Sequence, residues 1–191
     1  MQSTPDELRQ QMRKMRAEIP NDQLHTSAQL VFQNVTALDA YQNAMHIAAY
    51  AAINGEIDLR PVIEHAWNAG KCIYLPILDE IDLRFAPYFP DSPMRTNRFK
   101  LQEPDVPDSD MRPAHELDLV LAPLVVFDSQ RNRIGMGGGY YDRTFEFRRT
   151  TDAKLPTLIG VAHETQRVDS LVPEEWDVRL DAVVTDQHIY A

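Results

Sequence analysis

Met45-His-Ile-Ala-Ala-Tyr-Ala-Ala-Ile53 and Lys71-Cys-Ile-Tyr-Leu-Pro-Ile77 bracket a short polar segment, and their reading decides the architecture. The first run is apolar at nearly every position, the character of a strand covered on both faces. Asn54-Gly55 ends it. Asp58 can cap a helix over about 59–69, and Gly70 closes that helix. Lys71 to Ile77 is then a second strand, so the stretch predicts a β-α-β unit with parallel pairing and a right-handed crossover.

The same alternation extends outward. Leu117 to Val126 reads as a central strand, 132–134 as a short strand and 140–149 as a helix. Leu158 to His163 and Ala182 to Thr185 are further core strands, with Leu171 to Trp176 a short connection between them. Two amphipathic helices precede the unit. Over 5–17, Leu8, Met12 and Met15 share one side, with Arg9, Arg13 and Arg16 on another; over 22–35, Leu24, Ala28, Val31 and Val35 face inward. Residues 80–113 are a proline-dotted excursion containing a peripheral strand at Leu83-Arg-Phe-Ala-Pro-Tyr-Phe89. The pattern predicts one α/β domain over 1–191, a three-layer fold with a mostly parallel central sheet flanked by helices. In such sheets ligands gather beyond the carboxyl ends of the strands, which places Gly55-Glu56, Asp128 and a glycine-rich loop at one edge.

The composition narrows the function classes. A formal net charge of −10 argues against a general nucleic-acid binder. No run of about 18 apolar residues predicts a membrane span, and the polar amino terminus lacks the apolar core of a secretory signal. Cys72 is the only cysteine, so no internal disulfide forms, which suits a cytoplasmic protein. The histidines are scattered without zinc-ligand spacing.

The chemistry concentrates in Arg133-Ile-Gly-Met-Gly-Gly-Gly-Tyr-Tyr-Asp-Arg143, where four of the seven glycines fall within five residues. Without Cβ atoms, such a loop lets backbone N–H groups approach a ligand closely, and successive N–H groups form a concave anion site. A tight turn leading into a helix is the plainer reading of the same glycines. The aromatic–acid–base tail Tyr140-Tyr-Asp-Arg143 favours the phosphate loop. No lysine lies between Lys100 and Lys154, so this is not a Walker P-loop; Tyr140 stands where the dinucleotide fingerprint needs its third glycine.

This loop resembles the Arg-Leu/Ile-Gly-x-Gly-x-Gly-Tyr/Phe-Tyr-Asp-Arg signature of the 5-formyltetrahydrofolate cyclo-ligase family. Other pieces follow in the family's order: an arginine-rich helix from Leu8 to Arg16, Gly55-Glu-Ile-Asp58, Gly70-Lys-Cys-Ile-Tyr-Leu-Pro76 and Glu103-Pro104. Asp118-Leu-Val-Leu-Ala-Pro123, Val126-Phe-Asp128, Pro173-Glu-Glu-Trp-Asp177 and Asp181-Ala-Val-Val-Thr185 complete the set, so the resemblance covers nearly the whole chain. It implies a core like that of sugar-phosphate isomerases and CoA-transferases. It also implies ATP- and Mg²⁺-dependent closure of 5-formyltetrahydrofolate, with or without a polyglutamate tail, to 5,10-methenyltetrahydrofolate, with release of ADP and phosphate. A monomer acting on small molecules is expected.

The resemblance also assigns residues. Arg133, Tyr140 and Arg143 are implied at the reacting groups. Arg9, Arg133, Ile134, Gly135, Met136, Gly137, Gly138, Gly139, Tyr140 and Tyr141 are implied around ATP. Ala51, Glu56 and the loop from Met136 to Tyr140 are implied around the folate, and Asp142 and Asp177 at magnesium. Each has a plainer alternative: Asp142 as a helix-start carboxylate, Asp177 as a surface acid, Glu56 as a cap, Ala51 and Tyr141 as core. The arginine face of the first helix reads equally as solvated. Pro5 stands where the family often has lysine, and Met136 and Gly138 stand where other members place basic residues. A sugar-phosphate isomerase or CoA-transferase relative and a non-catalytic folate or nucleotide binder are the rival readings.

Overall fold

A computed structural model describes residues 4–97, 101–151 and 154–191. Three helices open the chain, α1 (Pro5–Ala17), α2 (Asn21–Thr36) and α3 (Asp39–Asn43), and β1 (His46–Ala48) follows. Next come α4 (Arg60–Asn68), β2 (Cys72–Leu78) and β3 (Leu83–Pro87), then the short strands β4 (Met94–Thr96) and β5 (Gln102–Pro104). The second half holds β6 (Leu119–Pro123), β7 (Val126–Asp128), β8 (Arg133–Ile134), α5 (Tyr140–Thr144) and α6 (Phe147–Thr150). The chain ends with β9 (Thr157–Val161), β10 (Arg167–Val168), β11 (Ala182–Val184) and β12 (Ile189–Tyr190).

The main sheet has seven strands in the order β12-β11-β9-β6-β1-β2-β3. Its five inner strands are parallel, and antiparallel β3 and β12 close the two edges. β1 and β2 are neighbours joined through α4, as the β-α-β reading predicts. Side chains alternate across the sheet, because successive residues of a strand point to opposite faces. Leu119, Leu121 and Ile159 join α2, α3 and α4 on one face; Val120, Ala122 and Leu158 join Phe85, Phe127 and Phe145 on the other. Each buried Val, Leu, Ile or Phe side chain among them contributes about 1.5–3 kcal/mol by leaving water.

Several predicted elements come out shorter or divided. The 117–126 run is two strands in different sheets: β6 ends at Pro123, and β7 pairs with β8 and β10 in a small separate sheet. α1 packs its Leu8, Met12 and Met15 against that small sheet. The 45–53 strand keeps only three residues in the ladder, since Ala51 and Ala52 run out beyond the sheet and are exposed. The 140–149 helix breaks at Phe145, which is fully buried and drawn into the core while its neighbours follow the surface.

The small sheet is tied by one carboxylate. Asp128 is 1% exposed and accepts the N–H groups of Gln130, Asn132 and Leu171 and the Asn132 side-chain amide, all at 2.9–3.0 Å. It thereby fixes the β7–β8 turn that launches the glycine loop and anchors the segment at Leu171. Asp128→Ala strands these donors, and we expect a loss of at least about 3 kcal/mol of unfolding free energy by urea titration. A change below about 1 kcal/mol would show that the turn is held by packing alone.

Candidate active site

Beyond the carboxyl ends of β1, β2 and β6 lies a cavity of 1540 Å³, enclosed by the start of α1, the 51–56 turn, the β4–β5 ribbon, the glycine loop and the 168–177 segment. A smaller depression of 430 Å³ lies between α1 and the loop, lined by Asp6, Arg9, Gln10, Arg13, Met136 and Gly137.

The glycine loop is closed at its base by an ion pair. Arg133 Nη2 donates to Asp142 Oδ1 at 2.7 Å, and the Arg133 side chain is only 8% exposed. Arg133 also donates to the Val178 carbonyl, and the Val178 N–H donates to the same Asp142 oxygen at 3.1 Å. Between these posts the chain turns through left-handed conformations at Gly137 (φ +100°) and Gly139 (φ +65°), which explains glycine at both positions. Among the described residues, no N–H group of Gly135, Met136, Gly137, Gly138 or Gly139 has a hydrogen-bond partner, although the carbonyls of Gly135, Gly138 and Gly139 do. Five consecutive cavity-lining residues with free donors are suited to an oxyanion-rich ligand.

Arginines brace the loop. Arg9 Nε donates to the Gly135 carbonyl at 2.9 Å while its Nη1 pairs with Asp6 at 2.6 Å. Arg13 is exposed and, among the described residues, reaches only the Met136 sulfur, at 4.0 Å. Arg143 lies outside the cavity lining. Its guanidinium donates to the Ile81 and Gly138 carbonyls at 2.6 and 2.8 Å and lies 5.1 Å over the Tyr140 ring. These contacts brace the loop from outside the cavity.

The two carboxylates assigned to a metal flank Val178 and both line the cavity. Asp142 uses Oδ1 for Arg133 and Val178, and Asp177 uses Oδ2 for the Glu174 N–H at 2.9 Å. Asp142 Oδ2 and Asp177 Oδ1 accept no hydrogen bond among the described residues. Two hard oxygens beside the glycine loop are of the type Mg²⁺ takes, since that ion uses one or two carboxylates and fills its octahedron with phosphate and water. Among the described residues no cluster of three or more His, Cys, Asp or Glu side chains offers an all-protein metal cage.

Across the cavity, Asn54 and Gly55 turn through positive φ, and Glu56 comes back toward Ile53, whose N–H donates to Glu56 Oε2 at 3.1 Å. The Glu56 side chain is 8% exposed yet lines the cavity. Burial pushes its carboxyl above the usual range, against the Ile53 N–H and Arg16, which pull it down. Ala51 is exposed on the cavity wall and is not a core residue. Tyr140 and Tyr141 both line the cavity; Tyr141 also stacks on Phe145, with ring centroids 6.1 Å apart. Trp176 and Val172, neither singled out from the sequence, sit at the rim with their side chains largely exposed.

The arginine face of α1 differs from its sequence reading at one position. Arg16 is 1% exposed, because it lies one turn beyond Met12 and shares its buried stripe. The i, i+4 relation to Met12 was the available signal.

The family model for the 5-formyltetrahydrofolate cyclo-ligase family matches residues 2–186. A 5-formyltetrahydrofolate cyclo-ligase of Haemophilus influenzae is 38% identical over 177 residues, covering 91% of this chain and 93% of that protein. One from Escherichia coli K12 is 40% identical over 147 residues, covering 75% and 79%. The solved 5,10-methenyltetrahydrofolate synthetase of Aquifex aeolicus superposes with a TM-score of 0.82 at 24% identity, covering 97% of this chain and 91% of that one. The Mycoplasma pneumoniae 5,10-methenyltetrahydrofolate synthetase gives 0.75 at 23%, covering 96% and 99%. These two likenesses establish the shared fold.

If the glycine loop is an anion cradle, Gly137→Val removes it. A branched residue at φ +100° costs about 1–3 kcal/mol locally and crowds the free donors. We expect inorganic triphosphate binding, measured by calorimetry, to be lost while the thermal unfolding transition remains cooperative. Retained triphosphate affinity in the folded variant would remove the loop from anion binding.

Proposed function

The chain belongs to the 5-formyltetrahydrofolate cyclo-ligase family, and we propose that it closes 5-formyltetrahydrofolate to 5,10-methenyltetrahydrofolate at the expense of ATP, with Mg²⁺ at Asp142 and Asp177. The reading rests on one observation above others: the run of unpartnered N–H groups from Gly135 to Gly139, between a pair of carboxylates on one side and Glu56 on the other.

The chemical problem is a leaving group. A formamide oxygen departs poorly, and N10 of the folate is a weak nucleophile. In the proposed sequence the formyl oxygen attacks the γ-phosphorus, ADP leaves, and an imidate phosphate forms. N10 then attacks the formyl carbon and loses its proton, the C–O bond breaks, and inorganic phosphate departs with the former formyl oxygen. No covalent bond to the enzyme is needed. The protein aligns the formyl oxygen with phosphorus and neutralises the phosphate charge.

The residues divide accordingly. Gly135 to Gly139 donate N–H groups to the phosphates, with Ile134 and Arg9 at the flank of that subsite. Arg133 fixes Asp142 and adds positive charge beside the transferring group. Met136 to Tyr140 form the wall shared by nucleotide and folate. Tyr140 packs on the pterin side, Tyr141 supports it from the core, and Ala51 and Glu56 receive the pterin edge. Arg143 acts through Gly138 and Tyr140, as a positioning residue. When bound, Mg²⁺ would neutralise charge on the phosphates, and Asp142 and Asp177 would hold it.

An isomerase or CoA-transferase reading needs an enolising base or a glutamate nucleophile aimed at substrate. Glu56 is turned into a hydrogen bond with its own loop. A binder without turnover has no use for two carboxylates at the phosphates. Following methenyltetrahydrofolate absorbance decides among the three: the signal rises only with ATP and Mg²⁺ together under the cyclo-ligase reading, and no rise with both present removes it.

Asp142→Asn keeps an oxygen for the Val178 N–H but loses the charge. We expect kcat to fall by about a hundredfold or more, with the fold intact by circular dichroism. Wild-type turnover at saturating Mg²⁺ would take Asp142 out of the metal role.

A further inference from the structure

Behind Glu56, away from the cavity, lies a side chain that the proposed reaction does not use. The Arg16 side chain has no exposure, and its Nη1 stands 3.5 Å from Glu56 Oε1. Among the described residues, its Nε and Nη2 are buried without any hydrogen-bond partner. Arg16 does not line the cavity, whereas Glu56 does. The main chain is pressed against the same turn: a Cβ on Gly55 would stand 2.7 Å from the Arg16 carbonyl oxygen, and Gly55 has φ +74°. The Gly55 carbonyl is held in turn by His163 Nε2 at 3.0 Å.

A guanidinium sealed in a core with a single long contact does not stabilise a fold. Its desolvation costs several kcal/mol, and an apolar residue of similar volume commonly does as well or better. The charge is therefore placed for what it does to its neighbour. The other titratable groups facing Glu56 carry no compensating charge. Tyr50, which donates to the Ile57 carbonyl, and Tyr141 are both held in the neutral phenol form by burial. His163, beside Gly55 and Arg16, is driven toward its neutral form by burial. Among the described residues that leaves Arg16 as the buried cation facing the Glu56 carboxylate.

We propose that Arg16 is a positioning residue for folate: its buried charge keeps Glu56 ionised and fixed at the cavity wall, so that Glu56 meets the pterin as a carboxylate. The inference rests on the reading of Glu56 as a folate-binding residue. It also gives α1 two tasks, since Arg9 braces the glycine loop and Arg16, two turns further along the helix and about 10 Å away along its axis, the folate turn.

The test compares Arg16→Gln, Arg16→Lys, Glu56→Gln and the double variant Arg16→Gln/Glu56→Gln, with KM for 5-formyltetrahydrofolate and kcat measured from pH 5.5 to 9 and melting temperatures alongside. Without the cation, the Glu56 carboxyl protonates at higher pH. Arg16→Gln should raise the folate KM about tenfold near neutrality, recover as pH rises, and leave kcat and the ATP KM nearly unchanged. Arg16→Lys, which keeps a cation, should stay near the wild-type profile. The double variant should match Glu56→Gln, because Arg16 acts only through Glu56. If Arg16→Gln fails to fold, the charge-free double variant decides: folding with the Glu56→Gln folate KM supports the proposal, and a further loss of folate affinity or failure to fold overturns it. A pH-independent KM increase in Arg16→Gln also overturns it. An unchanged folate KM in Glu56→Gln removes the folate reading of Glu56 itself, whereas a raised KM there with a wild-type profile in Arg16→Gln sinks only the role of Arg16.

Discussion

The ion pair between Arg133 and Asp142 closes the glycine loop on itself, and the rest of the site depends on that closure. Arg133 is the last polar residue before the loop and Asp142 the first acid after it, and their 2.7 Å contact converts a stretch of glycines into a ring with fixed ends. Without it, the conformational freedom that lets N–H groups reach a ligand would also let the loop collapse or sample many shapes. The pair sits where a low local dielectric strengthens it, and the Val178 N–H completes the Asp142 oxygen. The same carboxylate then leaves its second oxygen for a cation.

The closed loop is held in place from three directions. Asp128 fixes the turn leading into it, Arg9 fastens its Gly135 carbonyl to α1, and Arg143 ties Gly138 to Ile81. None of these bonds consumes a loop N–H. This division resolves the tension between a net charge of −10 and anionic ligands. The cations are spent on carbonyls and carboxylates that shape the cradle, while the cradle itself presents uncharged dipoles. Under the proposed function, such fixed donors would need no reorganisation as phosphate charge develops.

Much of the fold was legible in the sequence because buried parallel strands are long apolar runs punctuated by glycine and proline. The order of β1, α4, β2, β6, β9 and β11 follows from that alone. The strands β4, β5, β10 and β12 escape it, since two or three residues carry no period and depend on tertiary neighbours. The division of the 117–126 run at Pro123 and the break at Phe145 are tertiary as well: an apolar run does not say which sheet it joins. At the site, the glycine loop and the acid beside it, Asp142, were visible by type and spacing, whereas Asp177 was assigned only through the family resemblance. The carbonyl contacts of Arg143 were not visible, because an arginine's bonding partners depend on which loops the fold brings beside it. Arg16 was misread as part of a cationic face although its spacing from Met12 put it on the buried one.

The central claim is chemical: the formyl oxygen is phosphorylated before the ring closes. The most direct measurement supplies 5-formyltetrahydrofolate carrying ¹⁸O in its formyl group, with ATP and Mg²⁺, and analyses the released inorganic phosphate by mass spectrometry after a single turnover. The account predicts one ¹⁸O per phosphate, because the C–O bond breaks after the O–P bond has formed. Unlabelled phosphate, with the ¹⁸O recovered in water, would contradict it.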